Sequence, residues 1–339
     1  MRSTLGSLAS ASTFENASLT MSSTLFSCRP TFAYIWTHHT PSAFAVKKAQ
    51  PFFAARSGMR CGRRSIGSRQ SVVSRARVTC VVNQKGGVGK TTTSVNLAAS
   101  VAAAEKRTLL VDMDPQGNAS SGVGVRPGTR ERTIYDVLIG QSKMADVIAP
   151  TEIPSLFVAP ATQDLVAAEL ELVDDPKRAL KLKDAIAPVL EDFDYVFVDC
   201  PPSLGLLTVN ALAACGAVLV PLQCEYYALE GLTHLMATID RVKNGMNPEL
   251  EVEGVVLTMF DPRNNLAHQV ADEVKKHFFV FESVIPRNVR LSEAPSHGKP
   301  VLLYDASSKG SQGYLALAKE LLAKHGHVEP QPIKKVAAR

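Results

Sequence analysis

The chain has 339 residues, enough for one mid-sized α/β domain plus a non-globular leader. Its net charge of +5 joins two unlike parts: residues 1–77 hold eleven basic residues and the single acid Glu15, a net +10, while residues 78–339 hold 26 basic and 31 acidic residues, a net −5. This excludes a globally basic nucleic-acid-binding surface on the folded part and leaves room only for a local patch, and no apolar segment approaches the roughly 20 residues a membrane-spanning helix needs.

In chain order, the leader comes first. Residues 1–77 contain fourteen serines, nine arginines and the one tryptophan, Trp36. An Arg-rich, Ser-rich, nearly acid-free opening reads as an organelle transit peptide. Its Ser/Thr-rich start favours a plastid over a mitochondrion. Pro30, Pro41 and Pro51 and the lack of a 3.6-residue period argue against a DNA-binding helix pair here. Cleavage is expected before Val78, leaving a domain over 78–325 and a polar tail over 326–339.

The apolar run Val78-Thr79-Cys80-Val81-Val82 reads as a strand, and Ser94-Val95-Asn96-Leu97-Ala98-Ala99 as part of a helix. Between them lies Lys85-Gly86-Gly87-Val88-Gly89-Lys90-Thr91-Thr92. Strand, glycine loop, Lys-Thr, helix is the context that a phosphate-binding P-loop requires. Glycines let backbone N–H groups curl around phosphate oxygens, and the helix N-terminus adds partial positive charge. Lys90 is placed to reach the β/γ-phosphates and the Thr91 hydroxyl to ligate Mg²⁺. The strict pattern wants glycine at position 84, where this chain has Gln84, and a second lysine, Lys85, heads the loop.

Further strands are expected over Arg107–Asp114, Leu156–Pro160, Tyr195–Asp199, Ala217–Pro221, Gly254–Met259 and Ser283–Pro286. Helices are expected from the strand at Leu156 through about Leu190 with a break at Asp175-Pro176, around Leu266, Val270 and Val274, and over Tyr314–Leu322. Apolar strands alternating with helices predict a doubly wound, mostly parallel sheet with helices on both faces. Ligands of such sheets bind beyond the carboxyl ends of the strands, where the loop at 85–92, Asp114 and Asp199 all fall. Asp199 fits the second acid of a P-loop site, holding Mg²⁺ through a water. Asp112 and Asp114, two apart, share a face if their strand runs that far; Asp114, exposed by the turn at Pro115, is the better choice to orient the attacking water.

Six cysteines (Cys28, Cys61, Cys80, Cys200, Cys215, Cys224) form no C-x-x-C, so neither a zinc ribbon nor a redox pair is supported. Cys80, Cys200 and Cys215 sit in or beside apolar runs and read as small buried hydrophobes. No metal beyond Mg²⁺ is implied.

These residues resemble the ParA/Soj branch of the deviant Walker A P-loop ATPases over about Val78 to Leu322. The matching segments are Asn83 to Thr93, Asp112-Met113-Asp114-Pro115-Gln116-Gly117-Asn118, Asp199-Cys200-Pro201-Pro202-Ser203-Leu204-Gly205, Gln223 to Gly231 and Ile285 to Pro300. The resemblance implies an ATP- and Mg²⁺-dependent ATPase that forms a homodimer on ATP binding, with Lys85 crossing into the partner subunit's nucleotide. It further implies non-specific duplex DNA binding through Arg263 and Arg290, Pro286 and Arg287 near the base, and a ParB-like activator. A MinD-like membrane-associated ATPase is the alternative, although the last helix resembles a packed core helix and Pro330 and Pro332 interrupt the tail. An iron–sulfur-carrier ATPase is the third, and lacks cluster cysteines.

Overall fold

A computed structural model describes residues 76–326 apart from Pro127. The proposed leader, with Trp36, Cys28 and Cys61, and the tail past Gly326 lie outside the described residues. Among those described, β1 (Arg77–Val81), β2 (Thr108–Asp112), β3 (Ala149–Pro150), β4 (Leu156–Ala159), β5 (Tyr195–Asp199), β6 (Ala217–Gln223), β7 (Glu251–Phe260) and β8 (Ile285–Pro286) form one sheet. Its order is β3-β4-β2-β5-β1-β6-β7-β8, and every pair is parallel except β3 against β4.

Two apolar layers explain why the strands read as continuous hydrophobic runs. Val78, Cys80, Val111, Val198, Val220 and Val255 pack on one face with the helices Leu206–Ala214, Ala228–Gly245 and Asn265–Lys275. Val81, Leu110, Phe197, Leu219 and Val256 pack on the other with the helices Lys90–Ala103 and Lys309–Lys324. Alternate residues of one strand thus feed opposite layers, and neither face is left for water. Cys80, Cys200, Cys215 and Cys224 are all buried and unbridged.

Several boundaries differ from expectation for identifiable reasons. The second strand stops at Asp112, because Asp112 turns its carboxylate onto its own chain: Oδ1 accepts from Asp114 N at 3.1 Å, and Oδ2 from Ser120 N and Oγ at 2.8 and 2.7 Å. Asp112 and Asp114 therefore do not act as a pair on one strand face. The late strand shrinks to Ile285–Pro286 because Glu282 N and Ser283 N bond to the Glu320 carboxylate, at 2.8 and 3.0 Å, rather than to the sheet. The helix around Val270 starts where the Asn264 side chain accepts from Leu266 N at 3.0 Å. Its buried face is Ala267, Val270, Ala271 and Val274, while Leu266 is only partly covered, at 38% exposed.

At the amino end of the sheet, Glu253 of β7 is buried and receives Lys324 Nζ at 2.6 Å and His325 Nε2 at 3.2 Å. Tyr195 Oη lies 3.0 Å from His325 Nδ1, so the end of the last helix is tied to both β5 and β7. Burial alone would raise the Glu253 pKa, but the hydrogen bonds and charges of His325 and Lys324 prevail and hold it down at about 2. A depressed folded-state pKa stabilises above the unfolded value and is lost as pH falls through the folded one. Glu253→Gln is therefore expected to cost about 3 kcal/mol in urea denaturation at pH 7, with the gap to wild type closing as pH falls below about 4.

Candidate active site

The loop after β1 is fastened on two sides. Asn83 Nδ2 donates to Pro221 O of β6 at 2.8 Å, and Asn83 Oδ1 accepts from Lys85 N at 3.0 Å. On the far side, Thr258 Oγ1 of β7 donates to Val88 O at 2.8 Å. Between these anchors Gly87 and Gly89 adopt φ of +75° and +88°, the left-handed region that glycine enters at little cost. A Cβ added at Gly86 or Gly87 would meet nothing within 4 Å. The glycines thus leave open space in front of the loop, as a cradle for a phosphate chain requires.

Helix Lys90–Ala103 begins at the end of that cradle. Lys90 is buried, and its Nζ donates to Lys85 O at 3.1 Å. Burial lowers its pKa, opposed by the charges of Asp199 and Asp114, so both acids act on this ammonium group. The carboxyl ends of β1, β2 and β5 accordingly bring Lys90, Asp114 and Asp199 together.

Asp199 is fully buried. Its Oδ1 accepts from Ser94 Oγ at 2.8 Å, whereas Oδ2 has no hydrogen-bond partner. Burial first, and the Asp112 charge second, push its pKa up to about 8, although the Ser94 and Thr91 hydroxyls pull it down. An orphaned buried carboxylate oxygen beside a threonine hydroxyl and an ammonium group suits a hard divalent cation with oxygen ligands. The residues present therefore fit Mg²⁺, which Thr91 and Asp199 would hold. Thr92, next on the helix, is partly exposed.

Asp114 sits in the turn after β2, buried, with Oδ1 accepting from Gln116 N at 3.0 Å. Asp112, by contrast, is committed to Ser120, whose hydroxyl also accepts from Ala161 N at 3.0 Å. Burial pushes Asp112 up to about 6 despite these bonds. Asp112 is thus spent on Asp114 N and on the backbone and hydroxyl of Ser120, whereas Asp114 holds Gln116 N.

The Lys85 side chain turns away from the cradle of Lys90. Its Nζ meets the Glu225 carboxylate in the loop after β6, and both side chains remain partly exposed. Pro286 ends β8, opposite Phe260 of β7, and Ile285 before it is opposite Thr258, which holds the P-loop. Arg287 follows, exposed and close enough to help lower the Asp261 pKa. Arg263 and Arg290 lie farther out, and each is already paired. Arg263 Nε and Nη2 donate to Asp261 at 3.0 and 2.9 Å, and Arg290 meets Glu293 at 2.8 Å and Asp305 at 3.3 Å.

Sequence reasoning missed Ser94, Ser120, Thr258 and Glu225. Ser94 was within reach, being four residues after Lys90 on one helix. Thr258 and Glu225 meet the loop from 170 and 140 residues away in the chain, and Ser120 is joined to Ala161 across 41. No local spacing encodes those meetings.

A family profile described as "AAA domain" matches residues 76–252, more than half the chain. "Chromosome partitioning protein ParA" of Myxococcus xanthus is 57% identical over 257 residues, 75% of this chain and 91% of that protein. "Sporulation initiation inhibitor protein Soj" of Bacillus subtilis is 54% identical over 249 residues, 73% of this chain and 98% of that protein. Among solved structures, cobyrinic acid a,c-diamide synthase from Mycobacterium smegmatis with bound ATP analog and magnesium has a TM-score of 0.66 at 35% identity, covering 74% of this chain and 96% of that one. The Pyrococcus furiosus cell division ATPase MinD has a TM-score of 0.62 at 25% identity, covering 74% and 99%. With its P-loop fold, its paired lysines and this degree of identity, the chain belongs to the ParA/Soj family of P-loop ATPases.

Proposed function

We propose that the protein is an ATP-driven molecular switch: it binds ATP with Mg²⁺, dimerises, associates with duplex DNA without sequence preference, and hydrolyses ATP to ADP and phosphate to reset. Its role is to partition or position a cargo, either nucleoid DNA or a protein assembly, and its leader directs it to a plastid. The observation that carries this reading is the second lysine. Lys90 already supplies the cradle's ammonium group, whereas Lys85 stands outside it on Glu225. A cation held at the rim suits a phosphate brought by another subunit.

Each residue then has a defined task. The Gly86–Gly89 backbone and Lys90 bind the phosphates, and Thr91 and Asp199 would hold Mg²⁺, which would supply neutralising charge to the phosphate oxygens. Asp114 orients the attacking water and takes up its proton. Lys85 of each subunit exchanges Glu225 for the other's nucleotide, stabilising charge in the transition state. Loss of the γ-phosphate removes its anchor and the dimer parts.

For DNA, Arg263 and Arg290 exchange their carboxylate partners for phosphates, and dimerisation doubles the small patch on a domain whose overall charge is negative. The test is fluorescence anisotropy of labelled duplex with ATP, with ADP and without nucleotide. Tight binding is expected only with ATP; equal binding in all three states, or none, refutes the switch. In the same assay Arg263→Ala/Arg290→Ala is expected to weaken binding about tenfold or more and to flatten the salt dependence by about 1 for each phosphate left unneutralised.

A further inference from the structure

The sheet fixes the backbone of Asp199 on both sides. Asp199 ends β5 opposite Val81 of β1 and Asp112 of β2, and its carbonyl accepts from Met113 N at 2.9 Å. The freedom left to it lies in the side chain. The terminal torsion of an aspartate is broad and twofold, so either carboxylate oxygen could turn toward a cation. One contact removes that freedom: Ser94 Oγ donates to Oδ1 at 2.8 Å, and Oδ2 is left without a partner.

Ser94 comes from the helix that carries the P-loop lysine and threonine. It lies three residues after Thr91 and four after Lys90, so its side chain stands on the same face as theirs. Ser94 is fully buried, out of reach of bulk water. Its single proton has two acceptors within reach, Asp199 Oδ1 and, at 3.1 Å, Lys90 O. The Lys90 carbonyl lies in the first turn of the helix, where backbone bonds from residue i+4 already serve it. An aspartate that holds a metal ion is ionised, and its oxygen is then the stronger acceptor.

We propose that Ser94 is the positioning residue of the Mg²⁺ site: its hydroxyl pins Oδ1 of Asp199, so that Oδ2 is the oxygen offered to the cation beside the Thr91 hydroxyl. Ser94 acts through Asp199 and has no contact with the ion. Removing an outer partner of this kind weakens metal binding by about 10–100-fold. The assignment rests on the fit of Thr91 and Asp199 to Mg²⁺ and requires no hydrolysis step. A hydroxyl that only filled space between helix and sheet would affect stability and nucleotide affinity, not metal affinity alone.

The probe is Mn²⁺, with free and bound ion counted by electron paramagnetic resonance in the full chain at saturating ADP. Ser94→Ala is expected to weaken Mn²⁺ binding about tenfold or more, with ADP affinity in EDTA within about twofold of wild type. Ser94→Thr keeps the hydroxyl and should bind Mn²⁺ within about threefold of wild type. Ser94→Cys keeps a similar volume but donates weakly, so it should lose Mn²⁺ affinity even if Ser94→Ala does not fold. Wild-type Mn²⁺ affinity in Ser94→Ala or Ser94→Cys overturns the assignment. So does a loss in Ser94→Thr as large as in Ser94→Ala. An equal loss of ADP affinity in EDTA also overturns it, because Ser94 would then support the loop and not the metal. A wild-type chain that binds ADP but no Mn²⁺ would overturn the metal fit itself, and the assignment with it.

Discussion

Asp114→Ala is expected to slow phosphate release by roughly 10²–10⁴-fold while leaving ATP binding nearly intact. Asp114 acts electrostatically on both Lys90 and Asp199, so it lies beside the phosphate cradle, while its carboxylate accepts from Gln116 N. Under the proposed function, removing it takes away the group that would align the water and accept its proton, and leaves Lys90, Thr91 and the glycine loop in place. Asp112→Ala separates the two acids. It strips three hydrogen bonds from a buried loop and is expected to cost about 1–3 kcal/mol of stability, read as a lower urea midpoint. If Asp114→Ala hydrolysed ATP at the wild-type rate, the assignment of the water-aligning group would be wrong.

Lys85→Ala carries the other large effect. ATP binding should change by no more than about threefold, because Lys85 Nζ faces Glu225 and not the cradle. ATP-dependent dimerisation should disappear, and hydrolysis should fall by roughly 10³–10⁵-fold, the scale of a transition-state cation supplied by another subunit. The exposed pair with Glu225 is worth little by itself, about 0–1 kcal/mol, so it restrains Lys85 without trapping it. Glu225→Gln is accordingly expected to make the dimer form at lower protein concentration. Nucleotide titration calorimetry beside phosphate release checks both variants. Survival of dimerisation and hydrolysis in Lys85→Ala would reduce the loop to an ordinary phosphate cradle.

Much of this arrangement was legible in the residues. The apolar runs at Tyr195–Asp199 and Leu156–Ala159 became strands with little or no change of boundary, because burial on both faces leaves no polar alternation to blur the ends. The P-loop was legible for a related reason: two positive-φ glycines and a lysine at a helix start form a local pattern. What escaped was non-local. The two-residue β3 exists only by pairing with β4 and has too little sequence to signal itself. Whether Asp112 or Asp114 faced the ligand depended on Ser120, in a short helix that follows the turn, and on Ala161 beyond it. Arg290, which the resemblance assigns to DNA, meets Asp305 from 15 residues farther along the chain, beside its local partner Glu293.

Sedimentation velocity of the full chain carrying Asp114→Ala, in Mg²⁺ with either ATP or ADP, tests the central claim most directly. A dimer with ATP, a monomer with ADP, and a monomer in both when Lys85→Ala is added are predicted. The same mass with both nucleotides, or an ATP dimer that survives without Lys85, would contradict the account.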